Sequence, residues 1–224
     1  CRKYLISNPI IRSTDLIKFE IELKNLGVSD SLFDKIKDLA YEKIPDDTGY
    51  ICSNCGWTVS QLEDGTNKCI DWRCTSKTDN YKKISELGDT RFLMRLRPGV
   101  MRFLSIPGKL ELEIEEFCIQ NSLKYELWPH HDSYDIKIYL SDDKVIAIDA
   151  KDYKNAFNLG YSLLNKENLF KENDWDVAYI VVPNDVINIK IDYCDVVNTA
   201  LNKRFRKINC ITYSELISNL KEGV

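Results

Sequence analysis

The stretch that decides the fold runs from Tyr134 to Asn155, YDIKIYLSDDKVIAIDAKDYKN. Two short apolar runs, Ile136 to Leu140 and Val145 to Ile148, flank a polar Ser141-Asp142-Asp143-Lys144 turn. This pattern predicts a β-hairpin. Asp135 opens the first strand, and Asp149, Ala150 and Lys151 close the second. In a hairpin of this register the two acids and the lysine gather at one end. Asp149 and Lys151, two residues apart, project from the same face. Two carboxylates and an ammonium so placed are what a divalent cation and a phosphodiester require.

Outward from the hairpin, residues 107 to 224 read as an α/β alternation. Helices are expected over about 109–121 and 156–170, and near 193–201. Strands are expected at 124–128, at 177–182 (a continuous apolar run that suits a buried strand) and at 207–212, with a last helix to Leu220. The order αβββαβαβα predicts an α/β (α+β) fold with a mixed central sheet flanked by helices. Upstream, residues 14–44 carry helical periodicity, and Gly27 with Ser29-Asp30 marks a break between two helices. The expected divisions are a helical region over 1–48, a cysteine segment over 49–78, a basic connector over 79–106 with turns at Pro98-Gly99 and Pro107-Gly108, and the α/β domain over 107–224.

Composition sets limits. Of the 224 residues 44% are hydrophobic, enough for a core, and 9 Gly and 6 Pro leave little room for disorder. No apolar run approaches a membrane span. The net charge of −4 excludes a uniformly basic surface, so any nucleic-acid affinity must be local. The chain begins at Cys1 and reads as a piece of a longer protein. Cysteine usage points to a reducing cytoplasm: four of the eight cysteines crowd into residues 52–74, whereas Cys118 and Cys210 lie among apolar residues as small hydrophobes. Cys52-x-x-Cys55-Gly, then Cys69 and Cys74, has the form of a zinc-ribbon-like knuckle with a second pair. Four thiolates give a closed structural Zn²⁺ site with no position left for a reacting water. His130 and His131 read as polar surface residues.

A third acid is expected from the helix after Pro107. Glu111 stands three, six and seven residues before Ile114, Phe117 and Cys118, at the head of the buried stripe. Glu113 is the alternative, and Glu115 and Glu116 read as a solvated face. A cationic strip without intervening acids runs from Arg91 through Arg95, Arg97 and Arg102 to Lys109. Arg95, Arg97 and Arg102, with Lys154 beyond the hairpin, are the candidate nucleic-acid contacts. Neutralisation of acids elsewhere in the chain is the other reading of the arginines, and a solvated loop position that of Lys154.

On these residues the chain resembles the PD-(D/E)xK restriction-endonuclease-like superfamily over about 107–212: Gly108-x-x-Glu111 opening a helix, Asp135 on one strand, Asp149-Ala150-Lys151 on the next, and the helix after it. The literal Pro-Asp pair is absent, since Pro129 is not adjacent to Asp135; Pro129 with Asp132 is a weaker pairing. The phrases Arg97-Pro98-Gly99, Arg102 to Glu111 (RFLSIPGKLE) and Glu126 to Pro129 (ELWP) carry a narrower likeness to the nucleases that accompany bacterial Argonaute-type (PIWI) systems. The resemblance implies a restriction-endonuclease-like core in which Glu111, Asp135 and Asp149 bind catalytic Mg²⁺ (or Mn²⁺) and Lys151 assists hydrolysis of DNA. It also implies prokaryotic restriction or defence and partners in a larger defence system. A non-catalytic DNA-binding module and a protein-interaction domain, with Asp149 and Lys151 as a surface ion pair, remain as alternatives.

Overall fold

The computed structural model describes residues 1–76, 81–140, 144–167, 169–171 and 174–223. The chain divides into two compact units, Cys1–Lys109 and Leu110–Val224.

In the first unit, α1 (Arg2–Ser7) and β1 (Ile10–Arg12) precede α2 (Ser13–Asn25) and α3 (Asp30–Ala40). The break between α2 and α3 falls where the sequence places it. Gly27 takes a positive φ of 84°, and the Ser29 hydroxyl accepts from Leu32 N at 3.4 Å as an N-cap. The helical pattern does not continue to residue 44. Tyr41–Lys43 instead form β2, because Tyr41 is buried and donates its phenolic hydrogen to Asn8 O at 2.9 Å. Next come β3 (Tyr50–Cys52), β4 (Thr58–Gln61), β5 (Asn67–Lys68), β6 (Tyr81–Lys83) and β7 (Leu93–Leu96). They make two small sheets, ordered β1-β7-β2 and β5-β4-β3-β6.

The expected Pro-Gly turns are a correction. α4 (Pro98–Val100), a π-helical turn (Met101–Ser105) and α5 (Ile106–Gln120) follow one another without a break. Pro98 occupies a first helical turn, where its missing N–H has no partner to lose. Pro107 follows the wide π turn, where the absent donor interrupts the regular ladder.

The second unit carries β8 (Lys124–Leu127), α6 (Pro129–Asp132), β9 (Ile136–Tyr139), β10 (Val145–Ala150), α7 (Ala156–Leu164), β11 (Val177–Val182), α8 (Val186–Ile189), α9 (Tyr193–Leu201), β12 (Ile208–Thr212) and α10 (Tyr213–Glu222). The five-stranded sheet has the order β12-β11-β10-β9-β8. Strands β10, β11 and β12 are parallel, and β8, β9 and β10 antiparallel, so the sheet is mixed. The hairpin is as read. Residues 141–143 of its turn lie outside the described residues, and Leu140 N donates to Lys144 O at 2.9 Å beside them. α7 stops at Leu164 rather than Phe170. Leu169 and Phe170 are buried from a loop, and Phe170 has a positive φ of 53°.

Alternation assigns the faces. Ile136, Ile138, Ile146 and Ile148 pack with Leu110, Ile114 and Cys118 of α5 and with Leu216 and Leu220 of α10. Ala147, Ala178 and Ile180 pack with Leu159 and Leu163 of α7 and with Val197 and Leu201 of α9. Asp135, Lys137 and Asp149 belong by parity to the second face. At the outer edge of β12, Asn198 of α9 accepts from Cys210 N at 2.6 Å and donates to Cys210 O at 3.0 Å.

α7 and α9 approach closely at Gly160, where an added Cβ would lie 2.9 Å from the Ala200 Cβ. Gly160→Val is expected to destabilise the protein by about 1–3 kcal/mol through overpacking. Urea denaturation should show part of that loss restored by Ala200→Gly in the same chain.

Candidate functional site

The two acids and the lysine of the hairpin meet at the carboxyl end of β10, the strand at which the sheet changes from parallel to antiparallel. Ile148 pairs with Ile136, so Asp135, one residue earlier, lies opposite Asp149. Asp135 Oδ2 accepts from Ala150 N at 2.7 Å, which holds the carboxylate against the end of β10. Lys151 donates to Asp149 Oδ1 and to Ala150 O (3.2 Å), and its ammonium stands 4.0 Å from Asp135 Oδ2. Both acids are buried.

Two carboxylates buried side by side cannot both ionise freely. Burial and the neighbouring Asp149 charge push the Asp135 carboxyl well above the usual carboxylate range, against the pull of Lys151. Burial acts in the same sense on Asp149, but Lys151 and Lys166 outweigh it and hold that carboxyl below its ordinary value. Burial disfavours the Lys151 ammonium, yet the Asp149 and Asp135 charges keep its pKa raised. The resulting cluster holds two carboxyl groups whose acidities are pushed apart, beside a cation.

Glu111 is buried within α5, whereas Glu113 is exposed. Its charge acts on Asp135, and its Oε2 accepts from Trp128 Nε1 at 2.7 Å. The three acids are not drawn together as tightly as the four cysteines. Among the described residues, Cys52, Cys55, Cys69 and Cys74 alone form a group of three or more potential ligands with donor atoms all within 4.8 Å. The carboxylates nonetheless suit a hard divalent cation in their chemistry: oxygen donors, two of them adjacent and buried, with a third acid within electrostatic reach. Glu115 is a correction. It is buried rather than solvated and accepts from Tyr125 OH at 3.1 Å, while Glu116 is exposed as read.

Two partners of this site, and a separate cluster on Asp174, escape the sequence pattern. Lys166, just past α7, places Nζ 3.6 Å from Asp149 Oδ2, fifteen positions beyond Lys151 and outside any local spacing. Trp128 binds Glu111 through its ring and Asp135 O through its backbone N (2.8 Å). Trp128, His130, His131 and Asp132 all hold positive φ, between 51° and 70°, a conformation that non-glycine residues adopt sparingly. Lys137 is buried within Ile136-Lys137-Ile138 and ends on Asp174, which also accepts from Tyr134 OH (3.1 Å) and pairs with His130 Nε2 (2.8 Å). A lysine inside an isoleucine run is the one sequence signal that marked this cluster.

The cysteine quartet is built by the knuckle geometry. Gly56 takes φ 75°, its N donates to Cys52 O at 2.8 Å, and Cys52 N donates to Trp57 O at 2.8 Å. All four sulfurs are buried. Hydrogen bonding among the sulfurs pushes the Cys52 thiol down and, with burial, the Cys55, Cys69 and Cys74 thiols up. Four cysteines so gathered suit a zinc ion.

The arginine strip is divided. Arg95 departs from the expectation of an open phosphate contact. It is largely buried, donates to Glu42 Oε1 (2.8 Å) and Thr58 Oγ1 (2.7 Å), and lies over the Trp57 ring at 4.7 Å. Arg97 donates to Asp38 O at 3.0 Å but stays half exposed, and Lys109 donates to the knuckle carbonyls of Asn54 and Cys55. Arg102 is exposed, as is Lys154 of the second unit.

Asp174 supplies a pH test. Burial raises its pKa, but hydrogen bonds from Lys137, His130 and Tyr134 outweigh that and hold it at about 2. A depressed carboxyl stabilises the fold above its unfolded pKa, and the contribution is lost as pH falls through the folded value. Calorimetric melting between about pH 5 and about pH 2 should show a fall in Tm that is shallower in Asp174→Asn, which should also melt lower at neutral pH.

Comparison with known proteins gives one positive finding. Residues 108–224, more than half of the chain, match the family model described as REase associating with pPIWI_RE, REase denoting a restriction endonuclease. No curated protein and no solved structure matches the chain. Among the described residues no helix is long and apolar enough to cross a membrane. The chain therefore belongs to the family of restriction-endonuclease-type proteins that associate with pPIWI_RE.

Proposed function

We propose that this chain is a metal-dependent nuclease that hydrolyses phosphodiester bonds of DNA, of the PD-(D/E)xK type, within a prokaryotic defence system in the cytoplasm that includes a pPIWI_RE protein. The observation that carries the reading is the burial of Asp135 and Asp149 against Lys151 at the end of β10, in the segment that matches the family. Glu111, Asp135 and Asp149 would hold Mg²⁺ or Mn²⁺. Such an ion, when bound, supplies Lewis acidity and a more acidic water. The protein's own share is positional. Ala150 N fixes one oxygen of Asp135, and Trp128 fixes one of Glu111. Lys151 offers an ammonium where negative charge grows on the phosphate, and in a site that excludes water such a donor is worth about 10²- to 10³-fold in rate. Exposed Arg102 and Lys154 are the proposed backbone contacts, with Arg97 retaining a half-exposed guanidinium. Arg95 serves the packing of the first unit. The proposed divisions place a nuclease domain over 107–224, after a helical region (1–48), a zinc ribbon (49–78) and a connector (79–106). Zn²⁺ in the cysteine quartet is structural.

A rival reading is a domain that binds DNA without cutting it. Incubation of plasmid and linear DNA with Mg²⁺ or Mn²⁺ separates the two. The wild-type chain is expected to cut, and Asp149→Ala and Lys151→Ala to lose at least about 10²-fold in rate while binding DNA. Binding without metal-dependent cutting by the wild type would sink the nuclease reading.

Elemental analysis is expected to find zinc in the purified chain. Cys69→Ser should lose it and expose the first unit to limited proteolysis, since a structural zinc site contributes folding free energy directly. Retention of zinc and of protease resistance would count against the quartet as its site.

A further inference from the structure

α7 follows the hairpin directly and leaves its aromatic residues outside the core. Its inner face, Ala156, Leu159 and Leu163, is buried, whereas Phe157 is 65% and Tyr161 73% exposed. These two stand four residues apart, one above the other on the same face, about 6 Å along the axis. Another ring, Tyr153, lies two residues beyond Lys151. Its hydroxyl meets Ser162 Oγ at 3.3 Å, on a different side of α7 from Phe157 and Tyr161, and its carbonyl accepts from Tyr193 OH at 2.6 Å.

Lysines stand around these rings. The Lys190 ammonium lies 5.9 Å from the Phe157 ring centroid but is paired with Asp192 Oδ1 at 2.8 Å. Lys203 lines, with Phe157, Gly160, Val196 and Ala200, a groove of about 220 Å³ between α7 and α9 that has no acid in its wall. Lys154 precedes the helix and is exposed, α7 itself carries no acid, and Lys166 at its far end reaches Asp149. Rings that offer flat faces, with ammonium groups at intervals, match an unpaired nucleic-acid strand: each base has a π-face to stack, and the backbone between bases is anionic.

From this we infer that Phe157 and Tyr161 form a stacking platform for single-stranded DNA, with Lys154 and Lys203 along its phosphates. The inference rests on the nuclease reading and extends it: the strand delivered to Asp135, Asp149 and Lys151 is unpaired over the platform. Duplex DNA, whose bases are already stacked, has nothing to give these rings.

Fluorescence anisotropy of the full chain with a labelled oligo(dT) and with a duplex of equal length, without added Mg²⁺ or Mn²⁺, tests it. Wild type is expected to prefer the single strand. The Phe157→Ala, Tyr161→Ala double variant, altered only at exposed positions, should lose about 10- to 100-fold of that affinity without changing its salt dependence, because no charge is removed. Lys154→Ala should instead flatten the salt dependence. The exchanged pair Phe157→Tyr, Tyr161→Phe should bind as wild type does. Unchanged oligo(dT) binding by the double alanine variant would overturn the platform and leave the rings to a protein partner. So would a loss that the exchanged pair shares, or a wild-type preference for duplex. Metal-dependent cutting with aromatic-independent binding would remove this inference alone; aromatic-dependent binding without cutting would remove the nuclease reading alone.

Discussion

Two carboxyl groups out of water and side by side constitute the constraint around which the second unit is arranged. Isolated buried carboxylates are strongly disfavoured, and the protein answers with the Ala150 N–H on Asp135, the Lys151 ammonium and the more distant Lys166. Every one of these answers depends on register. A slip of one residue between β9 and β10 would turn Asp149 and Lys151 to the opposite face, among the isoleucines that meet α5. The apolar residues on the α5 face prevent that slip, so the packing of Ile136, Ile138, Ile146 and Ile148 secures the electrostatics at the strand's end.

What the sequence revealed and what it concealed follow the range of the interactions. The hairpin, the buried run Val177 to Val182 and the helix Tyr193 to Leu201 are set by local periodicity, and they stand where the pattern puts them. Asp135, Asp149 and Lys151 could be brought together on paper because strand alternation and one hairpin connect them. Glu111 could be preferred over Glu113 because the apolar stripe of α5 lies on its side. The partnerships of Trp128, Lys166 and Asp174 span 17 to 44 residues and have no periodic signature. Glu115 misled because Tyr125, ten residues on, supplies a hydrogen bond that helps make its burial tolerable. Pro98 misled because a proline in a first turn resembles a turn proline until the helix beyond it is known, and Pro107 because a π turn just before it accommodates a proline inside a continuous helical run.

The first unit solves a different problem. Its strands are two to four residues long and its sheets small, which leaves little area for a continuous core. The cysteine quartet sits within its largest apolar cluster, beside Trp57, Leu96 and Phe19. Arg95 is committed there as well, between the Trp57 ring, Glu42 and Thr58. A guanidinium so enclosed stiffens a small domain. That explains why a run of arginines free of neighbouring acids in sequence is only partly a run of free cations in space.

Asn198 has a reach beyond its own helix. By taking both the N–H and the C=O that Cys210 turns away from β11, its amide stands in for a sixth strand. An incoming β-segment would have to evict it to add there. The opposite border is guarded in another manner, since β8 alternates exposed Lys124 and Glu126 and Lys124 covers the Tyr139 ring. Assemblies containing this protein should therefore be glued by side-chain surfaces, with neither margin of its central sheet donating backbone to a neighbour.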